Sequence, residues 1–275
     1  MMEVFAGKVC VITGAASGIG RALAIELSGC GAHLALSDVN MEGLDETKSL
    51  LAGAKGQVSI QKLDVADPEA IAAYGGSVAT QLGAADYLFN VAGLTRIGEF
   101  TKTPLVSMEA VMDVNYWGVV RMSKAFIDQL ISTKGVVINI SSLFGLIGYR
   151  GQTHYCASKF AVRGFTETLA QEMREYGVGV CSVHPGGVKT NIARNAQVDH
   201  ISNHGKTESE MHDDFDKVAI TSAQKAAKII LVGAAKRKTR IIVGPDAKIA
   251  SFIQRCFPQS YSKLLDFYSK DKLLN

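Results

Sequence analysis

"KVCVITGAASGIGRALAIELSGCG" runs from Lys8 to Gly31. Its opening, "KVCVIT" (8–13), is an apolar run of the kind a strand buried on both faces shows. "TGAASGIG" follows from Thr13 to Gly20. Beyond it, Leu23, Leu27 and Cys30 share one helical face, and glycines close the helix near 31. A strand, a glycine loop and a helix in this order form the first unit of an alternating fold. Gly14, Gly18 and Gly20 are spaced G-x-x-x-G-x-G. Such a loop lets the backbone turn sharply and approach an anion, which meets the free N–H groups and positive dipole end of the helix that follows. A plain tight turn is the competing reading; the strand-loop-helix context favours phosphate cradling.

The same rhythm continues downstream. Strands are predicted at 32–38, 57–65, 86–93, 135–142, 177–187 and 239–245. Helices are predicted over 66–83, from about 106 to 131, and from the "THY" segment to about 176. In the 66–83 helix Asp67 caps and Pro68 takes the first position. Gly75-Gly76 inside it predicts a break or kink, since glycine costs on the order of 1 kcal/mol against alanine in a helix interior. The pattern implies an α/β, Rossmann-type doubly wound fold. Its seven-stranded, mostly parallel sheet carries helices on both faces. One domain spans 1–275, with no solenoid repeat and no low-complexity linker.

Composition narrows the function. The chain has 275 residues, 47% hydrophobic and 20% charged, which fits a folded globular protein. A net charge of +3 without a basic block argues against a nucleic-acid partner. "KRK" (236–238) reads as a solvated helix end. The five cysteines, with no C-x-x-C pair, read as reduced, buried thiols in a cytoplasmic protein without a metal site. No spanning-length apolar run and no secretory leader are recognised.

Asp38 closes the second strand, 18 residues after Gly20. A carboxylate there can accept hydrogen bonds from both hydroxyls of an adenosine ribose and would repel a 2′-phosphate. Val39, Asn40 and Ser17 supply no cation for that phosphate. The reading therefore favours NAD, with NADP the less favoured alternative. Asp64 could meet the adenine amino group or be a plain turn aspartate.

A second constellation lies in "SSLFGLIGYRGQTHYCASK" (141–159). Tyr155 and Lys159 stand at i and i+4, one turn apart on a helix. A phenol is a poor base near neutral pH unless a nearby ammonium lowers its pKa. The pair then suits general acid–base work on an alcohol or ketone oxygen, with the Ser142 hydroxyl holding the same oxygen. Taken alone, Tyr-x-x-x-Lys is common on ordinary helices.

The glycine loop, "NVAG" (90–93), Asn115 in "VNYWG", Ser142, Tyr155-x-x-x-Lys159 and "PGGVKT" (185–190) occur in one order. Together they resemble the short-chain dehydrogenase/reductase family over roughly residues 5–245. The resemblance implies that Asn115, Ser142, Tyr155 and Lys159 are catalytic. Tyr155 would be the acid/base, and Lys159 would lower its pKa and hold the nicotinamide ribose. Asn115 would fix a helix kink and help hold a water linking Lys159 to solvent. Gly14, Ser17, Gly18, Ile19, Gly20 and Asp38 would bind the cofactor. So would Asp64 and Val65 at the adenine, Asn90, Ala92 and Gly93 on the adenosine side, and Pro185, Gly186, Val188 and Thr190 at the nicotinamide end. Val91 departs from the family's usual "NNAG" and removes side-chain bonds across the sheet. The implied activity is hydride transfer between NAD and an apolar secondary alcohol or ketone. NADP-linked carbonyl reduction and a non-catalytic dinucleotide sensor are the alternatives; the complete reacting set weighs against the sensor.

Several residues tempt a different reading. His154 and His184 lie near the site without a needed role. His200 and His204 stand at i and i+4 but lack a third ligand for a metal. Cys156 reads as a packed thiol. The segment "LFGLIGY" (143–149), with Phe144, would line the substrate pocket, Leu94 and Ile97 would face it, and Arg96 and Arg150 stay open as cationic handles. A substrate lid is expected at about 191–220. The amphipathic tail at about 246–275 would pack on the body or a sister subunit, cover the pocket, or touch a membrane weakly. The family resemblance implies a homo-oligomer, a dimer or tetramer.

Overall fold

The computed structural model describes residues 2–190, 196–199 and 219–265. Most of the expected lid, with His200 and His204, and the tail beyond Leu265 lie outside them. Seven strands form the main sheet: β1 (Val9–Thr13), β2 (His33–Asp38), β3 (Val58–Lys62), β4 (Tyr87–Asn90), β5 (Val136–Ile140), β6 (Gly179–Pro185) and β7 (Arg240–Val243). Their order across the sheet is β7-β6-β5-β4-β1-β2-β3, and every pairing is parallel. The chain winds outward from β1 to β3, crosses back beside β1 with β4, and winds the other way. This reversal opens a crevice at the carboxyl ends of β1 and β4, where open α/β sheets bind ligands.

The helices are α1 (Gly18–Gly29), α2 (Met41–Leu50), α3 (Pro68–Leu82), α4 (Leu105–Met112), α5 (Gly118–Thr133), α6 (Thr153–Glu172), α7 (Ala223–Ala235) and α8 (Pro245–Cys256). One sheet face buries Cys10, Ile12, Phe89 and Ile138 against Leu23 and Leu27 of α1, Leu44 of α2 and Ile230 of α7. The other buries Val11, Leu88 and Val137 against Ile71 of α3 and Phe126 of α5, with Leu169 of α6 packed beside them. Two short parallel pairs, Arg96–Ile97 with Gln197–Val198 and Val188–Lys189 with Thr221–Ser222, flank the carboxyl end.

Three expectations are corrected. Helix α3 runs unbroken through Gly75-Gly76. A Cβ on Gly75 would lie 3.2 Å from the Ala125 carbonyl oxygen of α5, so this glycine permits a close helix crossing. Gly76 faces open space. The helix expected from 106 to 131 is α4 and α5 joined by a π-helical turn, Asp113–Trp117, which carries Asn115. The 236–238 segment is an exposed helix end as read, and the Arg237 guanidinium there also donates to the carbonyls of Lys134, Gly135 and Gly177. Among the cysteines, Cys10, Cys156 and Cys181 are buried, but Cys30 is half-buried and Cys256 exposed.

Candidate active site

The glycine loop is built as a cradle. Gly14 and Gly18 have φ of +66° and +53°, where a side chain is strained. A Cβ on Gly14 would sit 2.8 Å from Ala92 Cα, one on Gly18 3.1 Å from Thr190 Cγ2, and one on Gly20 2.1 Å from the Gly14 oxygen. The loop, the "NVAG" turn and Thr190 therefore meet at backbone distance. Ser17, the N-cap of α1, makes no side-chain capping bond, which leaves first-turn N–H groups for an anion. A cavity of about 290 Å³ opens beside this point, lined by Ser17, Gly18, Arg21, Lys189, Thr190 and Gln224 among others. Ile19 packs against the core beneath. These features fit a dinucleotide's pyrophosphate.

Asp38 is half-buried at the end of β2. One carboxylate oxygen accepts from Ala16 N in the glycine loop at 3.0 Å, the other from Asn40 N at 3.0 Å. Arg21, a cation close to the loop, is engaged by Glu46, Thr47 and the Ala16 and Gly43 carbonyls. Asp64 is exposed, and its carboxylate accepts from Ala66 N. Val65 is buried against Gly118. Asn90 is buried, and its amide donates to Asn139 Oδ1 on the neighbouring strand at 2.8 Å and to Ser123 Oγ of α5. The Thr13 hydroxyl accepts from both Val91 N and Ala92 N at 3.0 Å, a pin that sequence reasoning missed. Val91 packs against the apolar core.

Asn115 is fully buried. Its Oδ1 accepts from Leu94 N at 2.9 Å, and its Nδ2 donates to Leu94 O and to Ser158 Oγ. The π turn widens the helix where this amide reaches across, a common device at functional sites. A Cβ on Gly93 would come 3.0 Å from Asn115 Oδ1 and 3.4 Å from Lys159 Nζ, so a larger residue here would press on both side chains.

Tyr155 and Lys159 lie on α6, both buried. Lys159 Nζ donates to the Ile140 carbonyl at the end of β5, 3.0 Å away, and stands 5.7 Å from the Tyr155 ring centroid. Burial pushes the Tyr155 phenol up to about 12, opposed in part by the Ser142 hydroxyl. Burial also pushes the Lys159 amine down to about 8. Burial is the first cause of both shifts, and Lys159 is not among the causes that act on Tyr155. Desolvation disfavours the charged form of each, and the ammonium's bond goes to a carbonyl.

His184, fully buried on β6, was passed over by sequence reasoning. Its Nδ1 donates to the Ser142 carbonyl at 3.0 Å; a carbonyl can only accept, so Nε2 accepts from the Ser182 hydroxyl at 2.9 Å. Burial lowers its pKa to about 4. His154 Nε2 bonds the Arg96 carbonyl instead. Cys156 is a buried thiol whose pKa burial raises.

Phe144 stacks on Tyr149 at 4.9 Å and meets Tyr155 edge-on at 6.2 Å, which places it at the reacting group. Arg96 pairs with Asp199 and Arg150 with Glu99, so both cationic handles have partners. Tyr261 accepts a hydrogen bond from Gly148 N at 2.9 Å, and Ala250, Tyr261 and Leu265 pack on Leu146 and Ile147. The described part of the tail therefore backs the 143–149 loop.

The family model of the short chain dehydrogenases matches residues 8–200. SadH of Mycobacterium tuberculosis is 45% identical over 268 residues, 96% of each chain. The 3-oxoacyl-[acyl-carrier-protein] reductase FabG of Thermotoga maritima is 36% identical over 67% of this chain and 75% of its own. A short-chain dehydrogenase/reductase of Burkholderia phymatum, solved in complex with NAD, superposes with a TM-score of 0.82 at 28% identity, covering 91% of this chain and 94% of that one. Matched along most of its length in sequence and fold, and carrying the glycine cradle with the Ser142–Tyr155–Lys159 cluster, the chain belongs to the short-chain dehydrogenase/reductase family of oxidoreductases.

Proposed function

We propose that this protein is an NAD-dependent oxidoreductase that interconverts an apolar secondary alcohol and its ketone. The observation that carries the cofactor choice is Asp38, whose carboxylate is bound to Ala16 N of the glycine loop. Negative charge at that point opposes a 2′-phosphate and accepts from ribose hydroxyls. The NAD-bound relative supports the same choice. The cofactor, when bound, supplies or takes the hydride.

The chain's own residues handle the substrate oxygen. Ser142 and Tyr155 hold it between their two hydroxyls. Tyr155, kept protonated by burial, donates the proton when a ketone is reduced and takes it back in oxidation. Lys159, anchored on Ile140, holds the nicotinamide ribose and keeps positive charge near the phenolate that forms. Asn115 ties the π turn to Leu94 and keeps the adjoining backbone in place. The apolar substrate class follows from Phe144 at the reacting group and from the engagement of Arg96 and Arg150 elsewhere.

The test is a screen of secondary alcohols and ketones of rising apolar size with NAD and NADP, run on the unmodified protein and Tyr155→Phe. We expect turnover with NAD on the larger apolar members. The variant should lose about 10²–10⁴-fold in kcat while its NAD affinity stays unchanged. Preference for NADP, or full turnover by the variant, overturns the reading.

A further inference from the structure

We propose that Asp246 is the positioning residue of the nicotinamide-side turn, so that helix α8 is a working part of the cofactor site. The proposal rests on the reading that Pro185, Gly186 and Val188 face the nicotinamide end. Asp246 stands outside every motif described above, in the first turn of α8.

Its Oδ2 accepts from Gly187 N at 2.6 Å. Two further bonds hold the same turn: Gly186 N donates to Val243 O at 2.9 Å, and Thr221 N donates to Gly187 O at 3.2 Å. All three partners come from the chain after residue 219. The carboxylate is seated against bare backbone on both sides. A Cβ on Gly186 would lie 2.0 Å from Asp246 Oδ2, and one on Gly244 2.4 Å from Oδ1. A side chain at either glycine would displace the carboxylate, and Gly244 also has a φ of +99° that favours glycine.

Asp246 Oδ1 is buried and has no hydrogen-bond partner among the described residues. As a stabilising element the arrangement is inefficient, since an unpaired buried oxygen has a desolvation cost. The α8 dipole offsets part of it, because a carboxylate in the first turn faces the positive end. The gain is control of the Gly186-Gly187 peptide. Two adjacent glycines have wide conformational freedom, and a ligand that had to order them would bind more weakly. The Asp246 clamp fixes that peptide before the cofactor arrives.

A clamp of this kind acts only on ligands that reach the turn. The experiment is calorimetric titration of the full chain with NAD and with ADP-ribose, which lacks nicotinamide, alongside NADP and 2′-phospho-ADP-ribose. Asp246→Ala should bind NAD about tenfold more weakly, the equivalent of one charge-assisted hydrogen bond, and ADP-ribose within about twofold of the unmodified protein. Asp246→Asn, whose amide oxygen still accepts from Gly187 N, should restore most of the NAD affinity. If the alanine variant does not fold, Asp246→Glu keeps the charge, displaces the carboxylate by one methylene, and should show the same selective loss. Equal weakening of NAD and ADP-ribose, or no weakening of either, overturns the proposal. Failure of the unmodified protein to bind any of the four ligands refutes instead the dinucleotide reading on which it rests.

Discussion

At the residue scale, burial decides the charge of the groups around the substrate oxygen. Tyr155 is pushed up and Lys159 down for the same reason: each loses water for its charged form. His184 follows the rule with the opposite bearing on acid stability. Its folded-state value is about 4, below the ordinary 6.5, so between those limits the unfolded chain binds more protons. Its stabilising contribution is complete above about pH 6.5 and is lost as the pH falls towards 4. A shift of this size corresponds to on the order of 3 kcal/mol. Urea unfolding at pH 7 and pH 4.5 should show that fall in the unmodified protein and a shallower one in His184→Gln. Equal falls would show that His184 does not govern it. Tyr155, Lys159, Ser142 and Asn115 were legible in the sequence by type and order. The Ser142–His184 bond was not, because Ser142 lies just past β5 and His184 on β6, and the two meet only through the register of those strands.

At the element scale, local propensity read most of the helices and strands correctly and failed where packing overrode it. Gly75-Gly76 looks like a break when only the helix's own backbone is considered. In the fold Gly75 is the contact point of α3 with α5, and Gln129 Nε2 donates to its carbonyl at 3.0 Å. Gly76 has no neighbour that a Cβ would meet. Gly76→Ala should therefore stabilise the protein by about 0.5–1 kcal/mol through helix propensity. Gly75→Ala should gain nothing or lose stability, because the added methyl presses on the Ala125 carbonyl. Denaturant midpoints of the two single variants check the contrast, and equal gains would contradict the packing account. The π turn at Asp113–Trp117 is the parallel case. A sequence pattern continuous from 106 to 131 conceals it, and the tertiary bonds of Asn115 to Leu94 define it.

At the scale of the whole molecule, the outward faces of α4, the π turn and α6 carry Leu105, Val106, Trp117 and Phe160, at least 40% exposed in each case. An apolar face of this composition fits a second copy of the chain, as the family resemblance implies. We expect the unmodified protein to sediment as a multiple of 29.3 kDa, and Trp117→Glu/Phe160→Glu to shift it towards that mass. A variant that sediments unchanged would place any interface elsewhere. Among the described residues no helix is long and apolar enough to cross a membrane. The sequence by itself determined the alternation of strands and helices, the glycine cradle, the acidic end of β2 and the Tyr155–Lys159 pair, because each is set by neighbours within a few positions. Only the tertiary structure decided how those parts are held. It placed Asp246 on Gly187, His184 on Ser142, Thr13 on the "NVAG" turn and Tyr261 on Gly148, contacts between segments up to 113 residues apart. Such pairings follow from strand order and register, which no local pattern encodes.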